Sequence, residues 1–206
     1  MKLRLISTLA FAFVVVTGAS ADTITFNFST TPGNTTTANY VGSDGVTTIS
    51  ASSGTSADLF FKNGGANETG LGLAVGGDNE ISGSGSITFD LSSLFSLNIT
   101  NLTITLGSIQ NSDSGKVCDV NNVCMTFTSS QSGQAVSIMT LYADMLKSGN
   151  GMLTITAPSG DVLIEQLQAT TPVPEPSALL LLGTGLFMMA GVVFAMRKQL
   201  SGTAAA

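Results

Sequence analysis

Between residues 22 and 168 apolar and polar side chains alternate in short runs. "TITFNF" sets Ile24, Phe26 and Phe28 on one face, "SITFDL" sets Ile87, Phe89 and Leu91, and "NLTITL" sets Leu102, Ile104 and Leu106. "VCMTF" does the same with Val123, Met125 and Phe127, and "MLTI" and "VLIEQL" close the series. The intervening positions are mostly Thr, Ser and Asn. A period of two with one apolar face is the mark of strands that bury one side and wet the other. Turn-forming clusters such as "SDG", "NGG", "GGDN", "SGSG" and "SDSG" separate the runs. The pattern predicts an all-β domain of about eight to ten strands, a β-sandwich or jelly-roll-like ectodomain. "LYADMLK", Leu141 to Lys147, is the one short helical candidate. Thr31 to Thr55, rich in Thr, Ser, Asn and Gly, reads as a long loop or weak edge strands. No internal repeat interrupts the pattern.

The two ends of the chain break it. Lys2 and Arg4 precede an apolar stretch from Leu5 to Val16, and "TGASAD" follows with Ala19 and Ala21 at the small positions of a cleavage site. That order predicts a signal peptide over residues 1–21, cut between Ala21 and Asp22. The stretch is short for a membrane core of about 30 Å, which disfavours a first transmembrane helix. Near the other end, Ala178 to Met196 contains no charge. As a helix rising about 1.5 Å per residue it would span about 28 Å, close to the hydrocarbon thickness. Arg197 and Lys198 follow at once and would hold the tail on the cytoplasmic side, leaving the β domain outside. The predicted organisation is a signal peptide (1–21), a β-sandwich ectodomain (22–168), a Pro-rich linker (169–177), a transmembrane helix (178–196) and a short basic cytoplasmic tail (197–206).

A permanent anchor accounts for the apolar run but not for Pro174-Glu175-Pro176 directly before it. Two prolines around one residue hold an extended segment with few backbone donors, which a processing enzyme can take without unfolding it. "VPEPSALLLLGTGLFMMAGVVFAMRK" resembles the PEP-CTERM sorting signal of bacterial surface proteins: a Pro-Glu-Pro motif, a membrane helix and a basic tail. The resemblance covers roughly the last thirty residues. It implies processing by an exosortase, a membrane-embedded cysteine transpeptidase-like enzyme. The tail departs from the pattern in having few arginines and in running on through "QLSGTAAA". "GLGLAVGGDNEISGSGSITFDL", Gly70 to Leu91, is similar to a stretch found in many PEP-CTERM ectodomains. That likeness supports a sandwich and implies no chemistry.

Charge and residue usage narrow the functional classes. Between the signal peptide and the linker, Lys62, Lys116 and Lys147 face twelve carboxylates, a net charge of −9. An acidic exported domain without a basic patch has no electrostatic footprint for nucleic acid. The chain has no histidine and no tryptophan. A Ser-His-Asp triad is therefore excluded, and no catalytic or cofactor-binding residue is assigned. Cys118 and Cys124 flank "DVNNV"; in an exported chain the simplest reading is a disulfide closing a hairpin. The alternatives are a redox pair or a metal site, for which the spacing is not C-x-x-C and no histidine completes a zinc set. Asp78 and Glu80 in "GGDNEIS" are calcium candidates, with Asp22 or Asp161 as further oxygen ligands. The competing reading is a turn with a solvated Glu80. Asp78 or Glu80 paired with Glu165 would be the carboxylates of a glycosidase, but the scarcity of aromatic residues argues against a sugar-hydrolysing cleft. Five Asn-x-Ser/Thr sequons, at Asn27, Asn34, Asn67, Asn98 and Asn101, are the expected product of this composition.

The expectation is a non-enzymatic exported protein, held in the inner membrane before processing and then at the cell surface or in the extracellular matrix. The resemblance links exosortase sorting with exopolysaccharide production and so implies a structural or adhesive role in a biofilm matrix. The alternative is a carbohydrate-binding module or weak lectin, with or without calcium, and a glycoside hydrolase comes third. Replacing Glu175 by Ala should leave membrane insertion intact and block release. With one epitope in the exported domain and another after Lys198, fractions of the native host should show mature wild-type protein losing the second epitope. The Glu175→Ala variant should keep both, and wild-type protein that keeps both in the inner membrane would refute the sorting reading.

Overall fold

The alternation along the chain resolves into two antiparallel sheets in a computed structural model. It describes residues 21–28, 35–65, 67–75 and 77–172, with Gly185, Met188 and Met189 beyond them. In chain order the strands are β1 (Thr23–Asn27), β2 (Thr37–Val41), β3 (Thr48–Ser53), β4 (Leu59–Asn63), β5 (Thr69–Leu73), β6 (Ile81–Ser82) and β7 (Ser86–Asp90). There follow β8 (Asn101–Gly107), β9 (Ser114–Asp119), β10 (Cys124–Thr128), β11 (Ala135–Ser137), β12 (Met152–Ser159) and β13 (Asp161–Thr170). One sheet has the order β11-β8-β13-β5-β4, with β1 and β6 also on β13; the other runs β10-β9-β12-β7-β3-β2.

β13 organises the first sheet. One of its edges pairs with β8 along nearly its whole length. Its other edge has three successive partners: β6 at Asp161 and Val162, β5 at Ile164, and β1 from Gln166 to Thr170. Val162, Leu163 and Ile164 are buried in succession, so the strand loses its alternation where both faces are covered. Opposite Leu106 and Thr105 of β8 the register slips by one residue, leaving Glu165 as the extra residue of a bulge.

Apolar faces of the two sheets meet in a shared core. Phe28, just after β1, lies edge-on to Tyr40 of β2 with ring centroids 4.8 Å apart, and 5.1 Å from Phe89 of β7. Ile24, Phe26, Phe28, Ile87, Phe89, Leu102, Ile104 and Phe127 are all buried, as the period of two requires. The helix α1 (Met139–Ser148) contains the predicted Leu141–Lys147 and buries Leu141, Tyr142 and Met145. Gly149 ends it in the left-handed conformation, a backbone geometry glycine adopts without strain.

Several sequence expectations need correction. There are thirteen strands among the described residues rather than eight to ten. The additional ones are mostly polar, or as short as β6 and β11, and carry too few apolar positions to register as alternation. Of the two readings of Thr31–Thr55, the strand reading holds: its described part supplies β2 on the edge of its sheet and β3 beside it. Val123 is exposed: the turn between β9 and β10 takes it before the strand pairing begins at Cys124. Ala169 and Thr170, counted with the linker, belong to β13, where β1 holds them by ladder pairing. The predicted signal peptide before Ala21 lies outside the described residues, as does nearly all of the predicted membrane span 178–196. Among the described residues no helix is long and apolar enough to cross a membrane.

Tyr40 and Phe89 test the shared core from two directions. The Tyr40 hydroxyl is buried without a hydrogen-bond partner, and burial pushes its pKa up to about 12. Tyr40→Phe keeps the ring and removes an unsatisfied group, so urea unfolding should show unchanged stability or a gain of up to about 1 kcal/mol. Phe89→Ala should cost about 3–5 kcal/mol. A clear loss in Tyr40→Phe would mean that the hydroxyl is bonded after all.

Candidate functional site

Where β13 exchanges β5 for β1, the ends of those two strands leave a gap. It forms a cavity of about 550 Å³ lined by Asn27 at the end of β1, Thr69 and Gly70 at the start of β5, and Glu165 and Gln166 of β13. Phe61 of β4, Asn67, Thr105 and the Gly133–Ala135 segment complete the wall. The bulge aims Glu165 into this space. Its Oε1 is buried and has no hydrogen-bond partner among the described residues, and desolvation raises the pKa of the carboxyl. Gly107 of β8 lies beneath it: a Cβ there would fall on Glu165 Oε1 and within 2.7 Å of the Asn67 carbonyl oxygen. On the other side Gly70 lets β5 approach, since a Cβ there would lie 2.6 Å from the Ile164 carbonyl oxygen. Gln166 Nε2 donates to Asn27 Oδ1 at 2.8 Å, tying β13 to the end of β1 at the rim.

A second depression, of about 270 Å³, collects Glu68, Asp78, Glu80, Asp113 and Asp161 around Lys62. Asp78 is exposed, whereas Glu80 is buried and its Oε1 accepts a hydrogen bond from Lys62 Nζ. Lys62 Nζ also donates to Glu68 Oε2 at 2.9 Å, and Gln110 Nε2 and Ser108 Oγ donate to Glu68 Oε1. Burial alone would lower the Lys62 pKa; its bonds to Glu80 and Glu68 outweigh that and push it up to about 12. The same ammonium holds the Glu68 carboxyl below the usual range. Of the calcium candidates, the fold brings Asp161 to Asp78 and Glu80. Asp22 lies beside the far end of β13, about 30 Å of strand away. Among the described residues no three acidic or cysteine side chains are gathered as a metal-binding group. Glu165 opens into the first cavity and Asp78 and Glu80 into the second, so the pair imagined for a glycosidase lines two separate depressions.

The remaining sequence-predicted residues lie at the chain's C-terminus. A family model described as the PEP-CTERM protein-sorting motif matches residues 172–198. The chain contains a PEP-CTERM sorting domain. The match takes in Pro174, Glu175 and Pro176 and ends with Arg197 and Lys198, all outside the described residues. No curated protein and no solved structure matches the chain. The sorting motif indicates an exported protein that is sorted by an exosortase.

In the folded β domain, Cys118 and Cys124 form a disulfide across β9 and β10, directly opposite each other with Cα atoms 4.1 Å apart. Asp119 braces the hairpin tip: its Oδ1 accepts from the Asn121 and Val123 amides at 2.9 and 2.8 Å, and Asn122 takes the left-handed conformation. Sequence reasoning missed Lys62, Glu68, Asn67 and Gln166, because isolated polar residues carry no periodic signal.

Glu165 and Glu68 should leave opposite marks on the pH dependence of folding. A raised folded-state pKa means that stability from Glu165 is complete below the ordinary carboxylate value and is lost as pH rises through the folded value. The lowered Glu68 contributes above the ordinary value and is lost as pH falls through its folded value. Urea unfolding across pH should show both limbs. Glu165→Gln should abolish the upper one and raise the melting temperature near neutral pH, by roughly 2–4 °C for each kcal/mol gained. An unchanged upper limb in that variant would mean that Glu165 is solvated.

Proposed function

We propose that this exosortase substrate is a surface or extracellular-matrix protein with a structural or adhesive role in exopolysaccharide or biofilm. The observation that carries this reading is the sorting motif immediately behind a folded all-β domain. The domain is built for an exposed, oxidising setting: the hairpin is cross-linked, no free thiol is present and the surface charge is acidic. On this reading it binds rather than catalyses. The resemblance of such sorting systems to those accompanying exopolysaccharide synthesis supports the matrix as the destination.

A second reading, a carbohydrate-binding module, is favoured by one observation, the cavity around Glu165 with its mixed polar and apolar lining. It is compatible with the first, since adhesion to a polysaccharide needs a site of this kind. Fractionation of the native host separates the matrix role from simple secretion. The protein should co-purify with extracellular polysaccharide, and a host unable to make that polysaccharide should release most of it to the medium. Deleting the gene for this chain should weaken matrix cohesion under shear. Equal release to the medium with and without polysaccharide would overturn the matrix role.

A further inference from the structure

We propose that the cavity between the ends of β1 and β5 binds a neutral, hydroxyl-rich ligand, a saccharide unit of a longer glycan, with the Glu165 carboxyl as the group that orients it. This deepens the carbohydrate-binding reading and rests on it.

The first support is the cost of the arrangement. A buried carboxylate oxygen without a donor destabilises the fold. The neighbouring depression holds a half-answered case: Lys62 reaches Glu80 Oε1, while Glu80 Oε2 is also buried without a partner among the described residues. Among the described residues no lysine or arginine lines the Glu165 cavity. Instead the sequence places a bulge, which re-aims a side chain, and two glycines, which let the backbone close around it. Glu80 and Asp119 each have one carboxylate oxygen bonded, whereas among the described residues neither oxygen of Glu165 is, and Glu165 lines the cavity, so of the three it is the one left to meet an external donor.

The second support is the mixture of donors and acceptors. With Gln166 Nε2 engaged on Asn27, Gln166 Oε1 remains an acceptor and Asn27 Nδ2 a donor. Thr69 Oγ1 donates to the Gly65 carbonyl at 2.9 Å, which leaves its lone pairs available. The lining therefore presents both hydrogen-bonding senses in the same cavity as the Glu165 carboxyl. A hydroxyl group donates once and accepts twice and can answer all of them. An ammonium has no acceptor and would leave the amide donors unanswered, and an anion would be repelled by Glu165. The half-buried Phe61 ring offers an apolar surface for the C–H face of a sugar. The cavity volume falls within the range of about 300–1,000 Å³ common for small-ligand sites.

The test uses the full chain in phospholipid nanodiscs, with cellohexaose, maltohexaose and mannohexaose as neutral probes and putrescine as an amine probe, read by isothermal titration and saturation-transfer NMR. At least one hexasaccharide should bind, and Glu165→Gln, whose fold should be at least as stable, should weaken it tenfold or more. Phe61→Leu, which keeps apolar volume and removes the ring, should weaken it about fivefold. Hexasaccharide binding unchanged in Glu165→Gln would overturn the site and leave the carbohydrate-binding reading standing. Binding of no hexasaccharide would overturn both. Binding of putrescine alone would overturn the hydroxyl-rich ligand.

Discussion

The ladder pairing of β13 is the constraint on which the rest of the domain depends. A ten-residue strand with β8 on one edge has to satisfy its other edge with three separate segments, β6, β5 and β1. The pairing ties the first strand of the domain to the last: Thr23 lies opposite Thr170, and the Thr171 amide donates to the Asp22 carbonyl at 2.9 Å. The chain thus enters and leaves the domain at one place, so the segment leading to the sorting motif starts from a pinned point. A strand shared in this way cannot have continuous neighbours, because each change of partner separates two strand ends. The cavity beside Glu165 lies at one such separation, between β5 and β1, and the bulge against β8 falls at the same residue.

The domain handles buried carboxylates in three ways. Asp119 has backbone amides on one oxygen and braces the disulfide hairpin. Glu80 has a lysine, itself held by Glu68. Glu165 has neither, and its carboxyl is correspondingly hard to ionise. The first two stabilise a hairpin and a strand junction. Each of the three leaves one buried oxygen without a partner among the described residues; Glu165 differs in having no bond on its other oxygen and in lining a cavity.

Sorting and binding are encoded by different physics. The sorting signal is linear: Pro174-Glu175-Pro176, an apolar run and a basic pair can be read in order from the chain, because a membrane and an extended-peptide cleft respond to local composition. The Glu165 cavity draws on β1, β4, β5, β8, β11 and β13, and no two of its strands adjacent in the sheet come from one short sequence motif except the β4–β5 hairpin.

Local sequence therefore determined the all-β class, the apolar positions of the core, the disulfide between Cys118 and Cys124 and the export signal at the C-terminus. Each rests on a period, a spacing or a composition that acts over fewer than about thirty residues. Ile24, Phe26 and Phe89 could be placed inside from alternation alone, because burial on one face of a strand leaves that imprint. Only the tertiary structure decided that Lys62 would neutralise Glu80, that Asp161 and not Asp22 would join the acidic depression, and that Glu165 would stand alone in a cavity. Those outcomes depend on which strand ends meet across β13, and strand pairing between residues more than a hundred positions apart leaves no local pattern in the chain.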